Sequence, residues 1–208
     1  MAAFGSSPSE LEQVIANILT GKLVSESNQY LLEFAETDAA WEASLGLFSS
    51  ANPDVRFFAA NIVYQKVRKG AQWGQLNEEQ RNDIFSILIQ HLGSETQSIA
   101  SGARLSSFLD RIILCLAVVC SRAGASGLPL FVNAAIERVD QGGTMSAVGL
   151  EMLCALPAEV DALDVGCQAR AELQDELLKR GAAVCVRVLV RVCACSGLLT
   201  FTRFGVAC

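Results

Sequence analysis

The sequence predicts an all-α protein made of antiparallel helix pairs, and three observations carry that expectation. Its 208 residues include only four prolines. Abundant Ala, Leu, Val, Glu and Gln favour helix over sheet, because straight-chain residues lose little rotamer freedom in a helix. Apolar residues then recur at helical spacing in one segment after another, each closed by a stop signal. With an apolar fraction of 51% the chain can bury a sizeable core and is not a disordered sequence.

The first helix opens at "SPSELEQVIANILTG", where Ser7 or Ser9 can cap and Gly21 ends it, and Leu11, Val14, Ile15, Ile18 and Leu19 form its core stripe. A second covers Ser25 to Glu36 with Tyr30, Leu31 and Phe34 inward, and a third runs from about Asp38 to Ser50. "NPD" at Asn52 to Asp54 is a break and restart, with Pro53 suited to a first turn. The fourth segment is "RFFAANIVYQKVRKG", residues 56 to 70. "NEEQRNDIFSILIQHL" is the fifth, with Asn77 as N-cap and Glu78 and Glu79 favourably placed for the helix dipole.

"GSETQSIASGARLSS" reads as a polar, flexible stretch leading into a strongly apolar helix from about Phe108 to Arg122, which "GASG" ends. Further helices are expected at about Leu130 to Val139, Ser146 to Leu156 and Cys167 to Val190. Over the first 160 residues or so the helices fall in pairs with a period of roughly 40, the spacing of HEAT or armadillo arrays. A compact bundle is the alternative.

The fourth segment favours the array. At about 100° per residue, Val55, Phe58, Ala59 and Ile62 lie on one side, and Phe57, Ala60, Tyr64 and Val67 on another. Asn61, Gln65, Arg68 and Lys69 share the remaining face. Such a helix is apolar around most of its circumference, as one stacked between neighbouring repeats must be.

Charge is unevenly placed in a chain of formal net charge −6. Residues 1 to 55 hold eight acids against the single base Lys22, and then comes the basic run from Arg56 to Lys69. Duplex binding needs a broad positive field, so direct nucleic-acid binding is not expected. An acidic surface suits basic protein partners. The N-terminus "MAAFGSSPSELEQV" lacks a basic n-region followed by an apolar h-region, and the expectation is an intracellular, reduced protein. Its eight cysteines then act mostly as small apolar residues, as expected of Cys115 and Cys120 in "RIILCLAVVC".

Membrane insertion is not expected: "IILCLAVVC" is too short for a bilayer, and "AAVCVRVLVRVCACSGLLTF" carries Arg187 and Arg191 near its middle. Catalysis finds little support either. The single histidine, His91, reads as a helix C-terminal dipole partner or a surface residue, and no nucleophile-elbow or Walker motif occurs. "DQGGT" at Asp140 to Thr144 has no strand before it and reads as a helix–helix turn rather than a phosphate cradle. Cys185, Cys193, Cys195 and Cys208 cluster late, but their spacing is wrong for a paired zinc site, so neither metal nor cofactor is expected.

Four stretches in order carry a resemblance: "LLEFAETDAAWEASLGLF" from Leu31, with Trp41; "RFFAANIVYQKVRKG"; "IILCLAVVCSRAG"; and "LEMLCALPAEV" from Leu150 to Val160. They are similar to the N-terminal region of importin-beta (karyopherin) family nuclear transport receptors, most of all the transportin-SR and importin-thirteen branch. The resemblance spans residues 8 to 190 or so. It implies a right-handed α-solenoid of HEAT/armadillo-like A and B helix pairs, about four to five of them, with the B helices concave.

It further implies protein transport between cytoplasm and nucleus, with binding of the small GTPase Ran in its GTP state through the N-terminal B helices. Cargo proteins would be held further along, and nucleoporins are further partners that the family brings into view. The B helices carried onto this chain are Ser25 to Glu36, the fourth segment, and Phe108 to Arg122. Helix geometry then makes Asn61, Gln65, Arg68 and Lys69 the candidate Ran-facing strip, with Arg111 beside it. The alternative is a HEAT or armadillo scaffold joining cytosolic proteins without a GTPase partner.

Residues 1–190 are thus read as the HEAT-repeat region, and 191–208, "RVCACSGLLTFTRFGVAC", as an atypical end that no longer follows the family's pattern. An apolar end left uncovered by a next repeat would be sticky, so a truncated product or mis-predicted chain end is expected.

Overall fold

The computed structural model describes residues 8–99, 105–124, 126–163, 165, 169–176 and 178–179. Among the described residues there are helices and no strand. The expected atypical end at 191–208, and Cys185, Cys193, Cys195 and Cys208, lie outside the described residues. So does much of the helix expected from Cys167 to Val190, of which residues 169–176 are helical. No helix among the described residues is long and apolar enough to cross a membrane.

In chain order up to Ala162 the helices are α1 Pro8–Leu19, α2 Val24–Ala35, α3 Ala39–Gly46, α4 Pro53–Arg68, α5 Gly70–Gln75, α6 Glu78–Ser98, α7 Ser107–Arg122, α8 Gly127–Gln141 and α9 Gly143–Ala162. A single 3₁₀ turn, Leu47–Ser49, continues α3. Caps define several starts. The Asn52 side chain accepts from the Asp54 amide at 2.9 Å, with Pro53 in the first turn of α4. Asn77 forms a reciprocal capping box with Gln80, and Ser106 accepts from the Leu109 amide. Asn52, Pro53 and Asn77 act as their sequence context predicts.

Helices α1 and α2, α3 and α4, α6 and α7, and α8 and α9 pack as consecutive pairs. The second members also pack in order, α2 on α4, α4 on α7 and α7 on α9. Helix α7 is central: it touches α4, α6, α8 and α9, and its residues from Cys115 to Ser121 are all buried. This follows from its composition, since a helix apolar on nearly all sides has to be surrounded. Cys115 and Cys120 sit there as expected, and burial pushes both thiols up, Cys120 to about 12.

The connection between α8 and α9 is a turn with φ of 76° at Gly142 and 57° at Gly143, so "DQGGT" is the helix–helix turn its sequence implies. Further along, the two helices approach closely at Gly149. A Cβ there would stand 2.4 Å from the Ala135 carbonyl oxygen.

Five features differ from the sequence-based expectation. Helix α6 continues to Ser98, through a stretch read as flexible. Its polar side chains fold back on the helix, Thr96 Oγ1 donating to the Leu92 carbonyl at 2.6 Å and Ser98 to Glu95, while Glu95 pairs with Arg56 of α4. Helix α9 passes through Pro157 to Ala162 instead of stopping at Leu156. Pro157 is exposed, so the carbonyl it frees can turn to water, while buried Glu159 and Val160 anchor the final turn.

His91 is not in a last turn, since α6 runs on to Ser98, and it is only partly at the surface. It is half-buried, its ring edge-on to Phe48 at 5.3 Å and to Phe108 at 6.0 Å, and burial lowers its pKa. Leu19, expected in the core stripe of α1, is 43% exposed, although Leu11, Val14 and Ile15 are fully buried. Finally, α4 stops at Arg68 and Lys69 takes an extended conformation, with φ −81° and ψ 106°, before the unexpected short helix α5.

Candidate docking surface

The fourth segment's polar strip is only partly continuous. Asn61 is half-buried and Gln65 exposed on α4, one turn apart, and Arg68 follows with a side chain 39% exposed. Lys69 leaves the strip, because the helix has ended. Its ammonium pairs with the exposed Glu36 just past α2, whose carboxyl this hydrogen bond holds below its ordinary pKa. Gln72 donates to the other Glu36 oxygen at 2.8 Å.

Arg111, on α7, is brought to the strip. Its guanidinium lies 5.6 Å from the Phe57 ring centre and 5.3 Å from that of Tyr64. The Arg68 guanidinium sits 5.4 Å from the same Tyr64 ring. Two like charges are thereby held around one aromatic, where the ring's negative face offsets part of their repulsion.

Sequence reasoning assigned Tyr64 to the core and gave Glu159 no role. Both are central here. The Tyr64 hydroxyl donates to Glu159 Oε1 at 2.6 Å, and Arg68 Nε stands 3.8 Å from Glu159 Oε2. Glu159 is 6% exposed and its Oε2 has no hydrogen-bond partner. The signal for it was available: Leu156, Glu159 and Val160 share one face at i, i+3 and i+4, so the carboxyl occupies a core register. Through this contact α4 reaches α9 past the intervening α7.

Desolvation, and then the hydrogen bond to Glu159, push the Tyr64 hydroxyl up to about 12. A group whose pKa is raised on folding adds stability that is complete below its unfolded value, here 10.0, and is lost as pH rises through about 12. The chain has two tyrosines, and burial also raises Tyr30. Native tyrosinate absorbance is therefore expected to develop above the pH of the denatured chain, with the latest step missing in Tyr64→Phe. A Tyr64→Phe titration superimposable on wild type would contradict the Tyr64–Glu159 bond.

The other two bases of the segment are internal ties. Arg56 pairs with Glu95 and lies 5.1 Å from the Phe108 ring centre. Lys66 is 1% exposed and donates to the carbonyls of Ala35 at 3.0 Å and Thr37 at 2.8 Å, just where α2 ends. Desolvation lowers its pKa, and Asp38 and Glu36 oppose that shift. The arrangement offers aromatic, amide and guanidinium groups to a partner, with no nucleophile–base pair among them. Among the described residues, no group of His, Cys, Asp and Glu is placed to hold a metal ion.

No protein-family model matches the chain, and no curated protein is detectably similar to it.

Proposed function

We propose that this chain is a binding protein of the nuclear transport receptor type, a right-handed α-solenoid of HEAT-like pairs that engages Ran in its GTP state. What supports the reading is the packing order α2, α4, α7, α9, in which the second helix of each pair touches its successor. That is the order in which the B helices of a solenoid stack. The docking surface is Asn61, Gln65 and Arg68 of α4 with Arg111 of α7; Lys69, tied to Glu36, contributes less. Arg68 and Arg111 supply positive charge to a GTPase surface, Phe57 supplies flat apolar contact of the kind that concentrates binding energy, and buried Tyr64 positions the two guanidiniums from beneath. Cargo and nucleoporins belong to the same reading, as does residence in cytoplasm and nucleus.

One observation favours the second reading, a scaffold without a GTPase partner: all four bases between Arg56 and Lys69 already have partners or facing groups within the chain. Titration with Ran loaded with a GTP analogue or with GDP separates the two. The transport reading expects binding only to the GTP form, weakened roughly tenfold or more in Arg68→Ala/Arg111→Ala and little changed in Lys69→Ala. Nucleotide-independent binding, or none, leaves the scaffold. Unchanged affinity of the double variant for the GTP form removes the site and keeps the function.

A further inference from the structure

Helices α3 and α6, the first members of their pairs, stand apart, and a groove of about 950 Å³ opens between them. Its apolar lining is Trp41 and Leu45 of α3, Leu76 after α5, and Ile84 and Ile87 of α6. Apart from Ala39 and Gly46 the remainder is polar, and its charged members are Asp38, Glu42 and Asp83. No Lys or Arg lines the groove. Asp38 is felt by the buried Lys66, but among the described residues Glu42 and Asp83 have no cationic partner.

The helix dipole accounts for Glu42, in the first turn of α3. It does not account for Asp83, which lies in the second turn of α6, since the dipole's influence fades within the first. The lining runs from Gln80 to His91 on α6, roughly 17 Å at about 1.5 Å per residue, or about three helical turns. These are the dimensions and the polarity of a seat for an amphipathic helix, apolar on one face and cationic along one edge.

We propose that the α3–α6 groove binds a basic amphipathic helix of a partner protein, its apolar face on Leu45, Leu76 and Ile87 above the buried floor of Trp41 and Ile84, and its Lys or Arg side chains against Glu42 and Asp83. The groove shares no residue with the Arg68–Arg111 surface, so the two sites can be occupied together. Charge complementarity selects the occupant: a groove with carboxylates and no cation repels an acidic segment and takes a basic one, at low salt most readily.

The chain has two tryptophans, Trp41 and Trp73, and Trp41 lines the groove, so intrinsic fluorescence reports occupancy by a tryptophan-free probe. The probe is a synthetic Leu/Lys peptide of about four helical turns with one apolar face, and its Leu/Glu counterpart is the comparison. The 208-residue chain is expected to bind the Lys peptide, with affinity falling as salt rises, and not the Glu peptide. Glu42→Lys/Asp83→Lys should weaken binding roughly tenfold or more, while Glu137→Lys/Glu151→Lys, reversing exposed acids of α8 and α9, should leave it within about twofold. Equal losses in both double variants would reduce the effect to the acidic field of the whole chain and overturn the site. So would wild-type affinity in Glu42→Lys/Asp83→Lys, binding of the Glu peptide, or no binding at all. Self-association abolished by Glu42→Lys/Asp83→Lys would assign the groove to a second copy and overturn the proposal as well.

Discussion

Lys66→Ala is expected to lower the free energy of unfolding by about 3 kcal/mol, an effect of the size reached when one partner of a buried charged network is removed. The Lys66 ammonium holds the Ala35 carbonyl at the end of α2 and the Thr37 carbonyl beyond it, which also accepts from the Ala40 amide at 3.3 Å, and rests 4.9 Å from the Trp41 ring centre. Alanine leaves those oxygens without the donor and opens a void where the stem ran between α2 and α4. Relief from burying an ammonium offsets part of this, as the lowered pKa of Lys66 indicates. Lys66→Met keeps the stem and should recover about half of the loss. Urea unfolding with an unchanged slope measures both, and amide exchange should accelerate in α1 and α2 before α8 and α9. Wild-type stability in Lys66→Ala would remove Lys66 as the tie between α2 and α4.

Gly149→Val is expected to cost a comparable amount, roughly 3 kcal/mol, by forcing α8 and α9 apart. Besides the Ala135 oxygen at 2.4 Å, an added Cβ would meet the Val139 side chain and amide at 2.8 Å. Most of those atoms are backbone, so rotamer changes cannot relieve the contact. Helix α9 also carries Glu159, and displacing it loosens the Tyr64 bond; a lower pH of tyrosinate formation in Gly149→Val would report that second consequence. Gly93→Ala is the control. It lies inside α6 with nothing within 4 Å of the added carbon and should be stabilising by about 0.5–1 kcal/mol. Equal effects of the two substitutions would show that helix propensity, and not the α8–α9 approach, governs Gly149.

Much of the helical layout was legible in the chain. Asn52–Pro53 and Asn77 announce starts because side-chain oxygens satisfy amides that a helix leaves unpaired, a need decided within three residues. The central burial of α7 follows from the absence of any broad polar face between Phe108 and Cys120. The docking surface was legible only in part. Periodicity set Asn61, Gln65 and Arg68 on one side of α4, but it carried the helix past Arg68 and so assigned Lys69 to a face it does not share.

The amino-acid order by itself determined that this protein is helical, where most helices begin, and which stripes are buried, since these depend on backbone satisfaction and apolar spacing over a few turns. Only the tertiary structure decided which charges remain for a partner. Lys66, Arg68 and Lys69 lie within four residues of sequence, yet one is buried on the carbonyls after α2, one faces Glu159 across α7, and one is held by Glu36. Those partners lie 29 to 91 residues away in the chain, and charge pairing at such separation is fixed by how helices stack, which no local pattern encodes.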